Sequence, residues 1–199
     1  MSPHRRARAA CLRTLSAVLW PLILVACGGS SSSTPRASAS PSQVTTAAFT
    51  TKIPTGWIDH TADQKAVSEL NIAGTVQMLL YAPPTTAQIH NEHIDVSTVS
   101  DTVPDDQLAS YLESVTQNGA TDTSQPQPFN LAGATGLFIT YHLMATGTQP
   151  PVQLKSQEMI VNHTGETYEI VLNTASVDFD GQLPALKEVL QSWRWTTSP

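Results

Sequence analysis

A short apolar run that ends in a cysteine constrains this chain more than any other feature of its sequence. The segment Leu24–Cys27 reads Leu-Val-Ala-Cys, and a glycine- and serine-rich stretch follows it directly. The Cys27 thiol is a strong soft nucleophile that can take a diacylglyceryl group as a thioether. The small side chain of Ala26 leaves room for a peptidase that cuts before Cys27. The pattern predicts a bacterial lipoprotein signal with Cys27 as the lipidation site.

The residues before this box agree with that interpretation. Residues 1–13 contain four arginines and no acidic residue. Such an excess of positive charge is typical of the segment of a signal that stays on the cytoplasmic side. The apolar core is about eleven residues long, whereas a membrane-spanning helix needs about twenty. Pro21 also interrupts this core. Residues 1–26 are therefore predicted to be a cleaved signal peptide. An ordinary secretory signal with an incidental cysteine is disfavoured, because Cys27 falls where cleavage occurs.

Lipidation would leave the mature chain without a disulfide. The chain contains 2 cysteines: Cys11 would leave with the signal, and Cys27 would carry the lipid. The fold must then be held together by burial alone. Residues 27–46 are rich in Gly, Ser, Thr and Pro and are predicted to be a flexible linker with a reach of about 23 Å. Residues 47–199 are predicted to form one globular domain, which is long enough for its own core.

The charge balance excludes one class of partner. The chain has 10 basic and 16 acidic residues. Four basic residues lie in the signal and every acid follows Cys27, so the mature chain carries 6 − 16, a net charge of about −10. Such a surface repels nucleic acid and anionic headgroups. We therefore expect no nucleic-acid partner, and contact with the membrane through the lipid on Cys27.

The apolar pattern of the domain changes between strand and helix periods. Hairpin-linked strands with separate helices predict the α+β class, an antiparallel β-sheet flanked by helices on both faces. Trp57 and Trp193 are predicted to be buried, with the last helix across the sheet. Strands are predicted at 48–53, 76–81, 94–99, 134–144, 154–161 and 167–174, helices at 62–70, 104–118 and 182–193, and a hairpin turn at 162–165.

Both ends of the domain resemble those of the PsbP-like domain. Phe49–Trp57 contains Pro-Thr-Gly-Trp, and Leu190–Trp195 contains Ser-Trp-Arg-Trp. More narrowly, the chain resembles the LpqN and DcrB type of envelope lipoprotein. The resemblance covers roughly Ala47 to Trp195 and implies an α/β/α sandwich (PsbP-like) and an accessory or scaffolding role. It carries no catalytic residue over to this chain.

Few residues suggest chemistry of their own. The sequence contains no nucleophile elbow, phosphate-binding glycine loop, Cys-x-x-Cys or His-Glu-x-x-His. His90 and His93 have a possible metal-ligand spacing, but the segment is predicted to be a loop entering a strand, where their side chains diverge. A solvated loop is the preferred interpretation. Asp101, Asp105 and Asp106 could bind a cation, although helix-start electrostatics explains them.

Two further histidines have an alternative interpretation. His60 follows Asp59 and could be a base beside its orienting acid. No nucleophile accompanies the two residues in the sequence, so a surface pair is preferred. His142 alternates with Phe138 and Met144 and is interpreted as a packed side chain. No catalytic, cofactor-binding or metal-binding residue is predicted, and no cofactor is expected.

Two functions from different classes remain. The first is a non-catalytic binding or scaffolding module, anchored on the extracytoplasmic face of the membrane and contacting an envelope protein. Its surface would include exposed sheet edges and the loops at 85–93 and 121–129. The alternative is an extracytoplasmic small-ligand-binding protein or hydrolytic enzyme with a pocket between sheet and helix. A deep apolar cavity with converging polar groups would favour the alternative.

Overall fold

The computed structural model describes residues 42–70, 72, 74–84, 92–117, 119–145 and 150–196. The predicted signal, Cys27 and most of the predicted linker lie outside this part of the chain. The first strand, β1 (Gln43–Thr45), lies within the predicted linker and pairs with β2 (Phe49–Lys52). Only Val44 of β1 is buried. A strand with one apolar residue shows no period, which is why composition indicated a later start for the fold.

The other elements follow in chain order along the domain. Their bounds are β3 (Ile58–Asp59), α1 (Gln64–Glu69), β4 (Thr75–Tyr81), β5 (His93–Thr98), α2 (Leu108–Thr116), β6 (Gln127–Leu131), β7 (Ala134–Ala145), β8 (Val152–His163), β9 (Glu166–Ala175), α3 (Phe179–Ser192) and β10 (Arg194–Trp195). A 3₁₀ turn, Asp105–Gln107, precedes α2.

The strands of the described region form two antiparallel sheets. The main sheet has 7 strands in the order β3-β4-β5-β9-β8-β7-β6, and the small sheet has 3 strands in the order β1-β2-β10. Every strand pair is antiparallel. The predicted α+β class with an antiparallel sheet is therefore confirmed.

Two tight turns set the register of the long hairpins. Thr164 and Gly165, between β8 and β9, have φ angles of 47° and 81°. Ala132 and Gly133, between β6 and β7, have φ angles of 48° and 97°. Two successive positive φ angles match the twist of the flanking strands, which favours such two-residue hairpins. The first turn lies within the predicted range 162–165, whereas Gln127–Leu131 is an edge strand that overlaps the loop predicted at 121–129.

The larger core lies between α3 and the main sheet. Trp193 is completely buried, and its ring stacks on Phe49 with centroids 3.9 Å apart. Trp57 is 5% exposed and belongs to the same core. The burial of both tryptophans is therefore confirmed. This core also contains Met78, Leu80, Ile94, Val96, Met159, Val161, Ile170, Leu172, Leu186 and Val189.

A smaller core lies under α2. Leu108 and Leu112 of that helix pack with Ile139 and Ile160. The neighbours of Ile160 in β8, Met159 and Val161, pack in the larger core, so the two cores use alternate side chains of β8. A complete helical layer on each face stays a prediction, because α2 has only 9 residues. Within the described ranges, no helix has the length and apolar character to cross a membrane.

Trp193→Ala should lower the free energy of unfolding by about 3–5 kcal/mol, because it removes a large, fully buried ring from the core. Denaturant unfolding of the two proteins measures the difference. Val177 is 83% exposed, so Val177→Ala is a control that should stay within about 0.5 kcal/mol of wild type. Equal losses in both variants would show that the Trp193 ring does not hold the larger core together.

Candidate functional site

Polar side chains occupy one face of the central strands of the main sheet. In β5, Asp95 and Ser97 are 4% and 1% exposed and alternate with Ile94 and Val96, which belong to the larger core. In β8, Glu158 is 1% exposed. Since successive side chains of a strand point to opposite faces, these residues lie on the face away from α3. We call the following set the buried polar face: the buried His93, Asp95, Ser97, Ser156 and Glu158, and the half-buried Glu169 and Asn173.

Strand register arranges these residues in rows across the sheet. Asn173 of β9 is opposite both His93 and Ser156, and the Ser156 hydroxyl donates to Asn173 Oδ1 at 3.0 Å. Asp95 and Glu158 are both opposite Val171. Glu169 is opposite Ser97 in the next row. Three strands therefore bring three carboxyl groups onto one side of the sheet.

Glu158 and Glu169 are bound by two tyrosines. The Tyr141 hydroxyl of β7 donates to Glu158 Oε2 at 2.7 Å. The Tyr111 hydroxyl of α2 donates to Glu169 Oε2 at 3.3 Å. Glu158 Oε1 is buried and meets no donor group among the described residues, and the side chains of Glu158 and Glu169 can share a hydrogen bond when one of them is protonated. We call Glu158 and Glu169 the carboxyl pair.

The surroundings of the carboxyl pair favour the protonated form. Burial raises the pKa of Glu158 to about 9, and the negative charge of Glu169 is the next cause. Burial also raises the pKa of Glu169, and it raises the pKa of Tyr141 together with the charge of Glu158. A buried carboxylate is costly without a cation beside it. Glu158 therefore holds a proton at neutral pH.

Basic groups do not neutralise the pair. The ion pairs among the described residues include neither Glu158 nor Glu169. The side chains of Lys155 and Glu158 in β8 point to opposite faces of the sheet. The Lys155 ammonium lies over the Phe179 ring, 4.4 Å from the centroid. On the buried polar face, His93 Nε2 lies 3.4 Å from Asp95 Oδ1. The chemistry available here is proton holding and hydrogen bonding.

The sequence had indicated that His93 lies in a solvated loop, and this prediction is wrong. His93 is the first residue of β5 and is 7% exposed. His90, its predicted neighbour in a candidate metal site, lies outside the described residues. Within the described part of the chain, no group of three or more His, Cys, Asp or Glu side chains could hold a metal ion.

The other sequence candidates are dispersed over the domain. His60 Nδ1 lies 3.6 Å from Asp63 Oδ2, whereas Asp59 Oδ1 accepts a hydrogen bond from the Thr61 amide at 2.8 Å. His60 is thus paired with the residue that caps α1 and not with its neighbour in sequence. His142, partly buried, has its Nδ1 3.5 Å from Asp122 Oδ2.

The three aspartates near α2 are exposed. Asp105 and Asp106 lie in the first turn of the 3₁₀ segment, as helix-start electrostatics requires. Asp105 Oδ1 also accepts a hydrogen bond from Asn162 Nδ2 at 2.6 Å. Asp105 and Asp106 match the helix-start interpretation, whereas Asp101 lies before the 3₁₀ segment and is not explained by it.

Two open polar grooves lie elsewhere on the described surface. The first, which we call the α3 groove, has a volume of about 360 Å³ and is lined by Gln43, Thr50, Thr51, Lys52, Glu188, Gln191, Ser192 and Arg194. Ser192 Oγ accepts from the Lys52 amide at 2.9 Å, which joins the small sheet to the end of α3. The second, of about 390 Å³, is lined by Gly74, Thr75, Thr98, Val99, Ser100, Thr102 and Glu166.

Sequence reasoning missed the carboxyl pair and Asp95. The available signal was an acid beside β-branched or long apolar residues within a strand, as in Ile94-Asp95-Val96 and Glu169-Ile170. Alternation normally places such an acid in solvent on an antiparallel sheet. Here the polar positions are buried as well, which no local pattern shows.

Comparisons with known proteins identify the fold. The crystal structure of LpqN, a protein involved in cell envelope biogenesis of Mycobacterium tuberculosis, aligns with a TM-score of 0.50 and 9% identity over 75% of this chain and 83% of LpqN. This chain shares the LpqN fold, and the resemblance predicted from the sequence is confirmed at that level. The sequence matches no family model and no curated protein.

Two further structures align with lower scores. The solution structure of cyanobacterial PsbP from Synechocystis gives a TM-score of 0.46 and 13% identity over 76% of this chain and 89% of that one. A variant of the protein Mog1 gives 0.44 and 15% identity over 73% of this chain and 89% of that one.

Glu158→Gln should reduce the dependence of stability on pH. The folded-state pKa of Glu158, about 9, lies above the ordinary value of 4.5, so the folded protein binds the proton more tightly. The proton on Glu158 stabilises the folded state fully below about pH 4.5. This stabilisation is lost as the pH rises to about 9, at no more than about 1.4 kcal/mol per pH unit for one proton. Glutamine keeps an acceptor for Tyr141 and does not titrate.

Denaturant unfolding at pH 5.5, 7 and 8.5 measures this slope. The wild type should lose stability over this range, and Glu158→Gln should lose less. The exposed substitution Glu188→Gln is the matched control and should keep the wild-type slope. Parallel curves for wild type and Glu158→Gln would contradict the prediction.

Proposed function

We propose that this chain is a lipid-anchored protein of the cell envelope whose domain is a non-catalytic binding or scaffolding module. The observation that carries the anchor is the Leu-Val-Ala-Cys box, which precedes the first strand of the domain by a short linker. The fold shared with LpqN, which is involved in cell envelope biogenesis, supports the same location. In this proposal the signal at 1–26 is removed and Cys27 carries the acyl chains on the extracytoplasmic face.

The linker then holds a domain of the PsbP-like α/β/α type near the membrane. Residues 28–42, if flexible, have a root-mean-square reach of about 20 Å, from 5–6 Å times the square root of the length. Such a tether raises the effective concentration of the domain at partners embedded in the same membrane. The domain can therefore bind such a partner with low affinity and still be bound most of the time.

The α3 groove is the surface that suits such a contact. It begins at Gln43, where the linker enters the domain, and contains Lys52 and Arg194 together with Glu188. Lys52 and Arg194 are two of the few basic side chains in an acidic domain. An open, polar groove with both charge signs fits an extended polar segment of a protein partner that carries acidic residues. We propose an envelope protein as that partner.

The alternative is a ligand-binding protein or hydrolytic enzyme, and the buried polar face is the observation that favours it. His93 with Asp95 and the carboxyl pair are the kinds of groups that active sites contain. Glu158 and Glu169, however, accept hydrogen bonds from Tyr141 and Tyr111, and His93 lies beside Asp95. Neither described groove is lined by a residue of the buried polar face. The binding module is therefore the better-supported function.

Cys27→Ala should abolish membrane anchoring, because two or more acyl chains are needed for stable attachment at about 0.8 kcal/mol per buried methylene. The variant should accumulate as unprocessed precursor or as a shed soluble form, while the wild type fractionates with membranes. Mass spectrometry of the wild-type amino terminus should find acylated Cys27. A variant that matures and fractionates like wild type would refute the anchor.

A photo-crosslinking residue at Gln191 should capture an envelope protein in intact cells. Gln191 lines the α3 groove, whereas Ser68 is exposed on α1 and serves as the control position. Lys52→Glu with Arg194→Glu should remove the product by charge reversal, and Lys65→Glu should leave it unchanged. No product at Gln191, or the same product at both positions, would contradict the groove. Co-purification of a stoichiometric small molecule would support the alternative function.

A further inference from the structure

Helix α2 is attached to the main sheet at two places. Before the 3₁₀ turn that leads into the helix, Asn162 Nδ2 donates to the Val103 carbonyl at 2.8 Å, and Thr167 Oγ1 accepts from the Val103 amide at 2.8 Å. In its middle, Tyr111 donates to Glu169. The first attachment uses neutral groups and the Asp105 carboxylate. The second depends on a carboxyl of the buried polar face.

The surface under α2 is also connected to the carboxyl pair. Tyr141 packs in the smaller core with Leu108 and Leu112 of α2, and its hydroxyl binds Glu158. One tyrosine therefore joins the apolar contact of the helix to the buried acid. Tyr111 belongs to the edge of the same core. Both carboxyls of the pair are thus one hydrogen bond away from the packing of α2.

We propose that the carboxyl pair is a proton-operated latch, which holds α2 on the sheet while protonated and frees the second half of the helix when the proton is lost. Release would uncover the apolar surface of Ile139, Tyr141 and Ile160 under α2. The start of α2 would remain attached through Asn162 and Thr167 and act as the hinge. The latch requires neither the anchor nor the partner proposed above.

The charges that face the carboxyl pair support this behaviour. Strand β5 contributes Asp95 and its neighbour His93, β7 contributes Tyr141, β8 and β9 contribute Glu158 and Glu169 themselves, and α2 contributes Tyr111. Glu113 of α2 is exposed. Among the described residues of these elements, no Lys or Arg forms an ion pair with the two glutamates. The two tyrosine hydroxyls donate to the carboxyls and would still do so after ionisation. Release is therefore driven by the repulsion between neighbouring negative charges, with Asp95 as a further carboxyl, and by the water that a buried carboxylate requires.

The helix itself has little independent stability. It has 9 residues and no side-chain hydrogen bond at its N-cap. Isolated helices shorter than about 12–15 residues are marginal in water, so α2 depends on its contacts with the sheet. Water that enters to solvate an ionised Glu158 would remove those contacts first. Helix α3 is longer and packs in the larger core, away from the pair.

Hydrogen–deuterium exchange of the full chain between pH 6 and 9.5 tests the latch. After correction for the intrinsic pH dependence of exchange, amides of α2 should lose at least tenfold more protection across this range than amides of α3. The variant Glu158→Gln with Glu169→Gln should keep α2 protected throughout. Glu113→Gln with Glu69→Gln makes the same change of charge on exposed residues and should behave like wild type.

Carbon-13 NMR of the glutamate carboxyls in the wild type tests the same latch without a substitution. The Glu158 carboxyl should titrate over the pH range in which α2 opens. The latch is wrong if α2 protection is independent of pH, if α2 and α3 open together, or if the double glutamine variant retains the wild-type pH dependence. It is equally wrong if the carboxyl of Glu158 titrates in a range separate from the opening.

Discussion

The two faces of the main sheet differ in chemistry, and the rest of the structure depends on this alternation. In β5, Ile94 and Val96 enter the larger core while Asp95 and Ser97 face the other way. In β8, Glu158 and Ile160 alternate with Met159 and Val161 in the same manner. A slip of one residue in either strand would move carboxyls into the apolar core. The register is therefore strongly specified by burial on both sides.

The larger core is closed by aromatic rings from both ends of the domain. Phe49 stacks on Trp193, and Trp195 stacks on His163 with centroids 4.0 Å apart. The Trp195 indole also donates to the Leu131 carbonyl at 3.1 Å. In the small sheet, β10 pairs with β2, so the end of the domain is held against its beginning. These contacts close the larger core by packing alone.

The buried polar face carries a cost that the larger core does not. Replacing a buried ionic or polar cluster by apolar side chains is often neutral or stabilising, so the carboxyl pair is not explained by stability alone. Its hydrogen bonds to Tyr111 and Tyr141 link the sheet to α2 and to the smaller core beneath it. The α3 groove lies at the opposite helix. Partner contact and proton response would then use separate parts of the fold.

Several features of this domain could be predicted from sequence because their signals are local. Leu108, Tyr111, Leu112 and Val115 have the spacing of one buried helix face, and the Pro-Thr-Gly turn before Trp57 is a local signal for a buried ring. The long strands β7, β8 and β9 were predicted nearly to their ends, because each contains several alternating apolar residues. The α+β class followed from their order.

Only the tertiary structure decided the remaining elements and the site. Strands β1, β3 and β10 have two or three residues and exist because a neighbouring strand satisfies their backbone groups. The carboxyl pair likewise arises from the register of β8 against β9 and from the position of Tyr111 above them. Periodicity tells which face a side chain occupies. What covers that face, and hence whether an acid is solvated or holds its proton, depends on residues distant in the chain.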